Sequence, residues 1–285
     1  MKWGRARRSS NVEDRRGIGG GTVKLGLGGI AVVVALGLLM GKSPMEMLAL
    51  LSMIQGESPG VGVPADSSPA NDEAAAFVAS ILGETEDVWS EVFESSGSSY
   101  RQPRLVLFTG QVASACGGAS AAVGPFYCPR DGSVYIDLGF FKQMEARLGG
   151  GGDFAEAYVI AHEVGHHVQA VTGVLASVEK ARASGAEMEG AGGLLVRQEL
   201  QADCYAGLWG HHAQRRHDWL EPGDLEEALN TASAIGDDTL QRQGRGTVVP
   251  DAFTHGTSGQ RVQWFRRGFE AGDPAACDTF SAGRL

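Results

Sequence analysis

An α+β fold with helices dominant, preceded by one N-terminal transmembrane helix, is what the sequence predicts. Three observations carry that expectation. Apolar residues recur at three- and four-residue spacing through several long stretches, the period of a half-buried helix. Only two short runs, residues 104–108 and 133–138, are rich enough in β-branched and aromatic residues to read as strands. Residues 25–40 carry no charge and come close to the length that crosses a bilayer.

The elements follow in order. Residues 1–22 form a basic segment, in which Lys2, Arg5, Arg7, Arg8, Arg15 and Arg16 outnumber Glu13 and Asp14. The whole chain carries a net charge of −10 over 285 residues, so this basic start is a local feature. It lacks interleaved aromatics beyond Trp3, and its place before an apolar run explains its charge by membrane orientation. Nucleic acid is not an expected partner. Residues 23–41 are the expected anchor, with Lys24 and Lys42 able to snorkel at its ends. The positive flank puts the N-terminus in the cytoplasm and the bulk of the chain outside, as a single-pass protein of the cell membrane. A cleaved signal peptide is the alternative reading. Residues 42–70, Gly-, Pro- and Ser-rich from Gln55 on, read as a flexible tether. The folded domain is expected over 71–285.

Within the domain, the spacing of Phe77, Val78, Ile81, Leu82, Val88 and Trp89 predicts a helix over 73–93. A short helix is expected over 139–148. A third runs over 154–171, with Asp153 as its cap, Glu156 three residues on as a capping-box partner, and Gly173 as its stop. Residues 173–193 are small and polar and read as a connection. Helices follow over 194–212 and 224–235, and Ser258 is placed as the cap of a last one carrying Val262, Phe265 and Phe269. Four cysteines allow three pairings, and the neighbours suggest Cys116 with Cys128 and Cys204 with Cys277. That usage fits export to an oxidising compartment.

The chemistry lies in His162-Glu163-Val164-Gly165-His166. On a helix, residues four apart share a face, so both imidazoles can ligate one ion through neutral nitrogens, with Glu163 beside them to deprotonate a metal-activated water. Three protein ligands are expected around a catalytic Zn2+ ion. Glu199 is the best third, in Glu199-Leu200-Gln201-Ala202-Asp203. Asp203, four residues on, shares its face and is expected to accept a hydrogen bond from a ligand histidine. His167 points about 100° away on the helix. His211 and His212 read as surface or helix-end residues, and His217 as solvent-exposed. No third histidine follows His166 at the spacing that would make it a ligand, which favours the glutamate.

Further blocks accompany this motif. They are Asn11-Val12-Glu13-Asp14-Arg15-Arg16-Gly17, Cys116 through Cys128 with Ala121-Ala122-Val123-Gly124-Pro125-Phe126-Tyr127, Glu199 through Gly207, and His255-Gly256-Thr257-Ser258 with Gln260-Arg261. On these the chain resembles the YpfJ-type neutral zinc metallopeptidases, a bacterial family of membrane-anchored His-Glu-x-x-His proteins. The resemblance implies a zinc peptidase acting on a peptide or protein. By fold analogy it also implies a zincin-like layout, with a small sheet over the active helix and residues 133–138 as the edge strand that pairs with extended substrate. In that reading Glu163 is the general base. The oxyanion needs a donor, for which His255 is the candidate ahead of Tyr205 and Tyr158; the other reading of His255 is a loop residue that organises the Gly256 turn. A second function class is a catalytically silent, zinc-stabilised membrane scaffold or partner-binding protein.

Overall fold

Asp72 starts the first long helix by accepting a hydrogen bond from the Ala75 amide at 3.1 Å. A computed structural model describes residues 1–16, 72–148, 151–281, 283 and 285. That helix, α1 (Glu73–Ser95), buries Phe77, Val78, Ile81, Leu82, Val88 and Trp89. The main sheet has four strands: β1 (Val12–Asp14), β2 (Arg104–Phe108), β5 (Phe126–Cys128) and β6 (Ser133–Asp137). Their order is β1-β2-β6-β5, with β5 antiparallel to β6 and the other neighbours parallel. Between β2 and β5 the chain folds a hairpin of β3 (Gln111–Ser114) and β4 (Gly117–Ser120).

Alternation along the inner strands divides the apolar interior. Leu105, Leu107, Val134 and Ile136 point to the main core, and Val106, Phe108 and Tyr135 to a smaller one on the other face. Helices fill the main side: α2 (Gly139–Leu148), α3 (Asp153–Val171), α4 (Val174–Ala183), α5 (Leu194–His217), α6 (Asp224–Ala234), α7 (Asp237–Arg245) and α8 (Ser258–Ala271). The fold is helix-dominated α+β with small sheets, as expected.

Several expectations are corrected. Residues 133–138 were expected at the edge, but β6 is interior, and β5 holds the edge that faces the helices. The cap of α3 is Gly152, not Asp153. A Cβ at position 152 would lie 2.1 Å from the Glu227 carboxylate, and that carboxylate accepts the Phe154 amide at 3.3 Å. The helix start is thus served by a side chain from α6, and Asp153 instead lies 2.7 Å from the Met1 amino nitrogen. The last helix is capped by Thr257, which forms a capping box with Gln260, while the Ser258 hydroxyl turns to Asp238 and to the Ser233 carbonyl. The connection after Gly173 holds the unexpected helix α4. His217 is exposed, as expected, with its ring 2.8 Å from Glu84 and stacked on Trp219.

Residues 1–16, expected as a separate basic segment, belong to the same body as the domain. β1 pairs in register with β2, and Trp3 packs edge-on to Phe77 at 5.3 Å. Much of the basic character is ion-paired: Arg7 with Glu86 and Asp87, Arg15 with Glu13, Arg16 with Asp14 and Asp72. The Arg16–Asp72 pair joins the two residues that bracket 17–71. Residues 12–14 and the rest of the main sheet are thus parts of one sheet. The expected span 23–41 and tether 42–70 lie outside the described residues, and no helix among the described residues is long and apolar enough to cross a membrane.

Both suggested disulfides are present, Cys116–Cys128 and Cys204–Cys277. The second closes a separation of 73 residues and ties the C-terminal tail to α5. By loop-closure entropy a bridge of that reach stabilises by about 4 kcal/mol.

Candidate metal centre

The His162–His166 helix and the Glu199 helix meet at Gly165. A Cβ there would come within 3.1 Å of both Cα and O of Ala202, so α3 and α5 can approach this closely only at a residue without a side chain. That contact sets Glu199 opposite the two imidazoles. Its Oε2 lies 3.2 Å from Nε2 of His162, and its Oε1 lies 3.4 Å from Nε2 of His166. Donor atoms of these three residues all fall within 4.8 Å of one another.

The remaining ring nitrogens are fixed from behind. Nδ1 of His162 donates to Asp203 Oδ1 at 2.9 Å, and Nδ1 of His166 donates to Gln169 Oε1 at 2.9 Å. Each bond occupies Nδ1 and leaves Nε2 as the nitrogen that faces Glu199. Gln169 is itself locked, since its amide donates to the Gln198 carbonyl at 2.7 Å. Asp203 is fully buried and accepts the Tyr158 hydroxyl at 2.6 Å and two bonds from Arg261. Arg261 reaches it because α5 and α8 pack almost backbone to backbone. A Cβ on Gly207 would lie 2.0 Å from the Phe265 carbonyl oxygen, and one on Gly268 would lie 1.9 Å from that of Cys204.

These contacts set the charges. Burial alone would raise the Asp203 carboxyl, but Arg261 and His162 outweigh it and hold its pKa at about 2. Burial opposes a charged His162, but Asp203 and Glu199 raise it to about 10 in the metal-free protein. Glu199 is held well below the ordinary carboxylate value against the cost of burial, chiefly by His166 and His162. Glu163 goes the other way: burial lifts its carboxyl above the usual value, the direction that suits a group accepting a proton near neutral pH.

All four residues of the motif and its third partner, His162, Glu163, His166 and Glu199, border one cavity of about 1190 Å3. Phe126 and Tyr127 of β5, Leu175 and Val178 of α4, and Leu240 of α7 form other parts of its wall. His255 stands on the same wall, with Nδ1 at 2.9 Å from the Thr254 hydroxyl and 3.3 Å from Asp237 Oδ1. Asp237 also accepts the amides of Thr254, His255 and Gly256, so it shapes the loop. Tyr158 is bonded to Asp203, and Tyr205 packs edge-on to Trp89 at 5.1 Å, away from the cavity wall. His167 faces the other way: its Nε2 donates to the Arg101 carbonyl and its Nδ1 accepts the Tyr127 hydroxyl. His211 and His212 donate to the Phe269 and Gly272 carbonyls at the end of α8.

Sequence reasoning missed Gln169, Asp237 and the part played by Arg261. Gln169 had a local signal, three residues after His166 on the same helix. Arg261 and Asp237 had none, because their partners are distant in the chain.

A model of the family described as "Putative neutral zinc metallopeptidase" matches residues 1–280. The chain belongs to this family. It is 48% identical over 291 aligned residues to "Uncharacterized protein YpfJ" of Escherichia coli K12, covering 98% of this chain and 99% of that protein. It is also 46% identical over 196 residues to an uncharacterized protein of Mycobacterium tuberculosis H37Rv, covering 65% of each chain. No solved structure matches it.

The family name implies zinc, and the donors fit that ion. Two imidazole nitrogens with hydrogen-bonded backs and one carboxylate are a borderline-soft set with room for a further ligand from the cavity. The other carboxylate cluster among the described residues, Asp153, Asp224 and Glu227, offers oxygen only and faces the Met1 amino group.

The charge pattern predicts how zinc stabilises the fold. In the metal-free protein His162 has a folded pKa near 10, above its unfolded 6.5. Its protonated ring therefore stabilises the fold fully below pH 6.5, and that contribution fades as the pH rises toward 10. Zinc takes the neutral ring and displaces the proton. The stabilisation by excess zinc should thus grow with pH in this window, by up to about 1.4 kcal/mol per pH unit for each proton displaced. Melting temperatures with zinc and with chelator, compared from about pH 6 to about pH 8, should diverge; a gap that stays constant or narrows contradicts the ligand assignment.

Proposed function

We propose that the chain is a zinc peptidase that hydrolyses peptide bonds in extended polypeptide segments. The observation that carries this is the convergence of His162, His166 and Glu199 on the wall of a large cavity, with the buried carboxylate of Glu163 beside them. When bound, zinc supplies Lewis acidity to water and to the scissile carbonyl. Glu163 accepts the proton of the attacking water at its carboxylate and passes it to the leaving amine, as the new C–O bond forms and the C–N bond breaks. Asp203 and Gln169 keep the two imidazoles in one tautomer and orientation throughout. His255, its Nδ1 turned to Asp237 and Thr254, borders the same cavity and is the donor to the oxyanion. The outer edge of β5, between the cavity and the sheet, is where an extended peptide adds as a further strand.

We place this reaction outside the cytoplasm, because the two disulfides belong to an oxidising compartment. In this reading residues 23–41 attach the protein to the membrane, and residues 1–16 stay with the domain on its face. Single cysteines in place of the exposed Ser10 and Ser98 should then react together with a membrane-impermeant thiol reagent on intact cells; labelling of one without the other would refute this placement.

Cleavage of a denatured protein by the purified full chain tests the activity. It should stop with chelator and return with zinc. Zinc that raises the melting temperature of a chain that cleaves none of a broad panel of unfolded polypeptides would point to the silent scaffold instead.

A further inference from the structure

Glu199 and Asp203 lie four residues apart on α5, and both carboxylates reach His162. Glu199 Oε2 is 3.2 Å from its Nε2, and Asp203 Oδ1 is 2.9 Å from its Nδ1. The crossing at Gly165 sets Glu199 before the ring, and the Asp203 carboxylate behind it is held from α8. Arg261 Nε donates to Asp203 Oδ2 at 2.9 Å, and its Nη2 donates to Oδ1 at 2.9 Å, so both oxygens are gripped by a planar fork. Nη2 also lies 3.2 Å from the Tyr158 hydroxyl, which donates to the same Oδ1. Arg261 is 3% exposed and Asp203 0%, so solvent offers neither an alternative partner.

We propose that Arg261 is a positioning residue of the metal centre. Its two-pronged grip fixes the Asp203 carboxylate behind Nδ1 of His162 and away from the ion. Glu199 is then the sole carboxylate ligand, and His162 is held with Nε2 forward. A simple counter-ion role would need only a buried positive charge; the positioning role needs the fork. Lysine separates the two, because an ammonium keeps the charge but cannot hold both oxygens in plane.

The inference rests on the zinc site of the proposed function but not on its hydrolysis, so the test reads metal binding alone. Zinc affinity of the full chain is measured by competition with a chelator, with the visible spectrum of the cobalt(II) form and the melting temperature alongside. R261K should retain a cooperative melt, bind zinc about 10- to 100-fold more weakly, and show a changed cobalt spectrum as the His162 ring loosens. R261K with unchanged affinity and spectrum would reduce Arg261 to a counter-ion and overturn the proposal. Should R261K fail to fold, the uncharged pair R261Q/D203N is compared with D203N alone. Positioning predicts weaker zinc binding in the pair, because the amide at 203 loses the donors that orient it. Equal or tighter binding in the pair overturns the proposal.

Discussion

Replacing Glu163 by glutamine should abolish peptide hydrolysis while leaving zinc in place, with a loss of about 100- to 10,000-fold or more in rate. The side chain is 8% exposed, borders the cavity, and is not one of the three residues whose donor atoms converge. Glutamine has the same shape and no charge. Since burial already disfavours the Glu163 carboxylate, the neutral amide should melt at the same temperature as the parent or slightly above it. The variant thus isolates the proton-transfer role from folding and metal binding. Equal cleavage of a denatured protein by zinc-loaded Glu163→Gln and parent would remove Glu163 from the mechanism.

Glu199→Ala and Asp203→Ala should fail in different ways. Glu199 meets Nε2 of both histidines, at 3.2 and 3.4 Å, so its loss takes a ligand and should weaken zinc by more than the 10- to 100-fold usual for an outer partner. The metal-free fold should suffer less. Asp203 is the partner of the buried Arg261, and removing it strands a cation that is 3% exposed. A broken buried pair of this kind costs about 3–5 kcal/mol of folding stability. Chelator competition and thermal melts on both variants separate the effects. If Asp203→Ala loses more zinc than Glu199→Ala while still folded, the third ligand is Asp203.

The sequence showed the centre wherever the needed geometry was local. His162, Glu163 and His166 sit on one helix whose apolar period was plain, and the four-residue step did the rest. Glu199 required one further inference, that a second helix crosses the first. Gly165 marks that crossing, but a glycine within a helix does not say which neighbour it admits. The order of roles between Glu199 and Asp203 was readable as a plausible division, whereas its enforcement by Arg261 depends on a residue 58 positions further along. Residues 1–16 were misread for a physical reason. Their arginines were counted as free charge, while Arg7, Arg15 and Arg16 are matched by acids and Trp3 packs on Phe77. β1 and β5 are three residues long, too short for alternation to show. The caps failed similarly. Asp153 has the right chemistry for a cap, but Glu227 on another helix had already taken the amide.

The central claim is that His162, His166 and Glu199 hold one zinc ion at the cavity wall. X-ray absorption at the zinc edge of the purified full chain tests it most directly. The expected spectrum shows one zinc per chain with nitrogen and oxygen neighbours only, at about 2.0–2.2 Å, and the multiple scattering of two imidazoles. A sulfur neighbour near 2.3 Å, a single imidazole, or a spectrum unchanged by Glu199→Ala would contradict it.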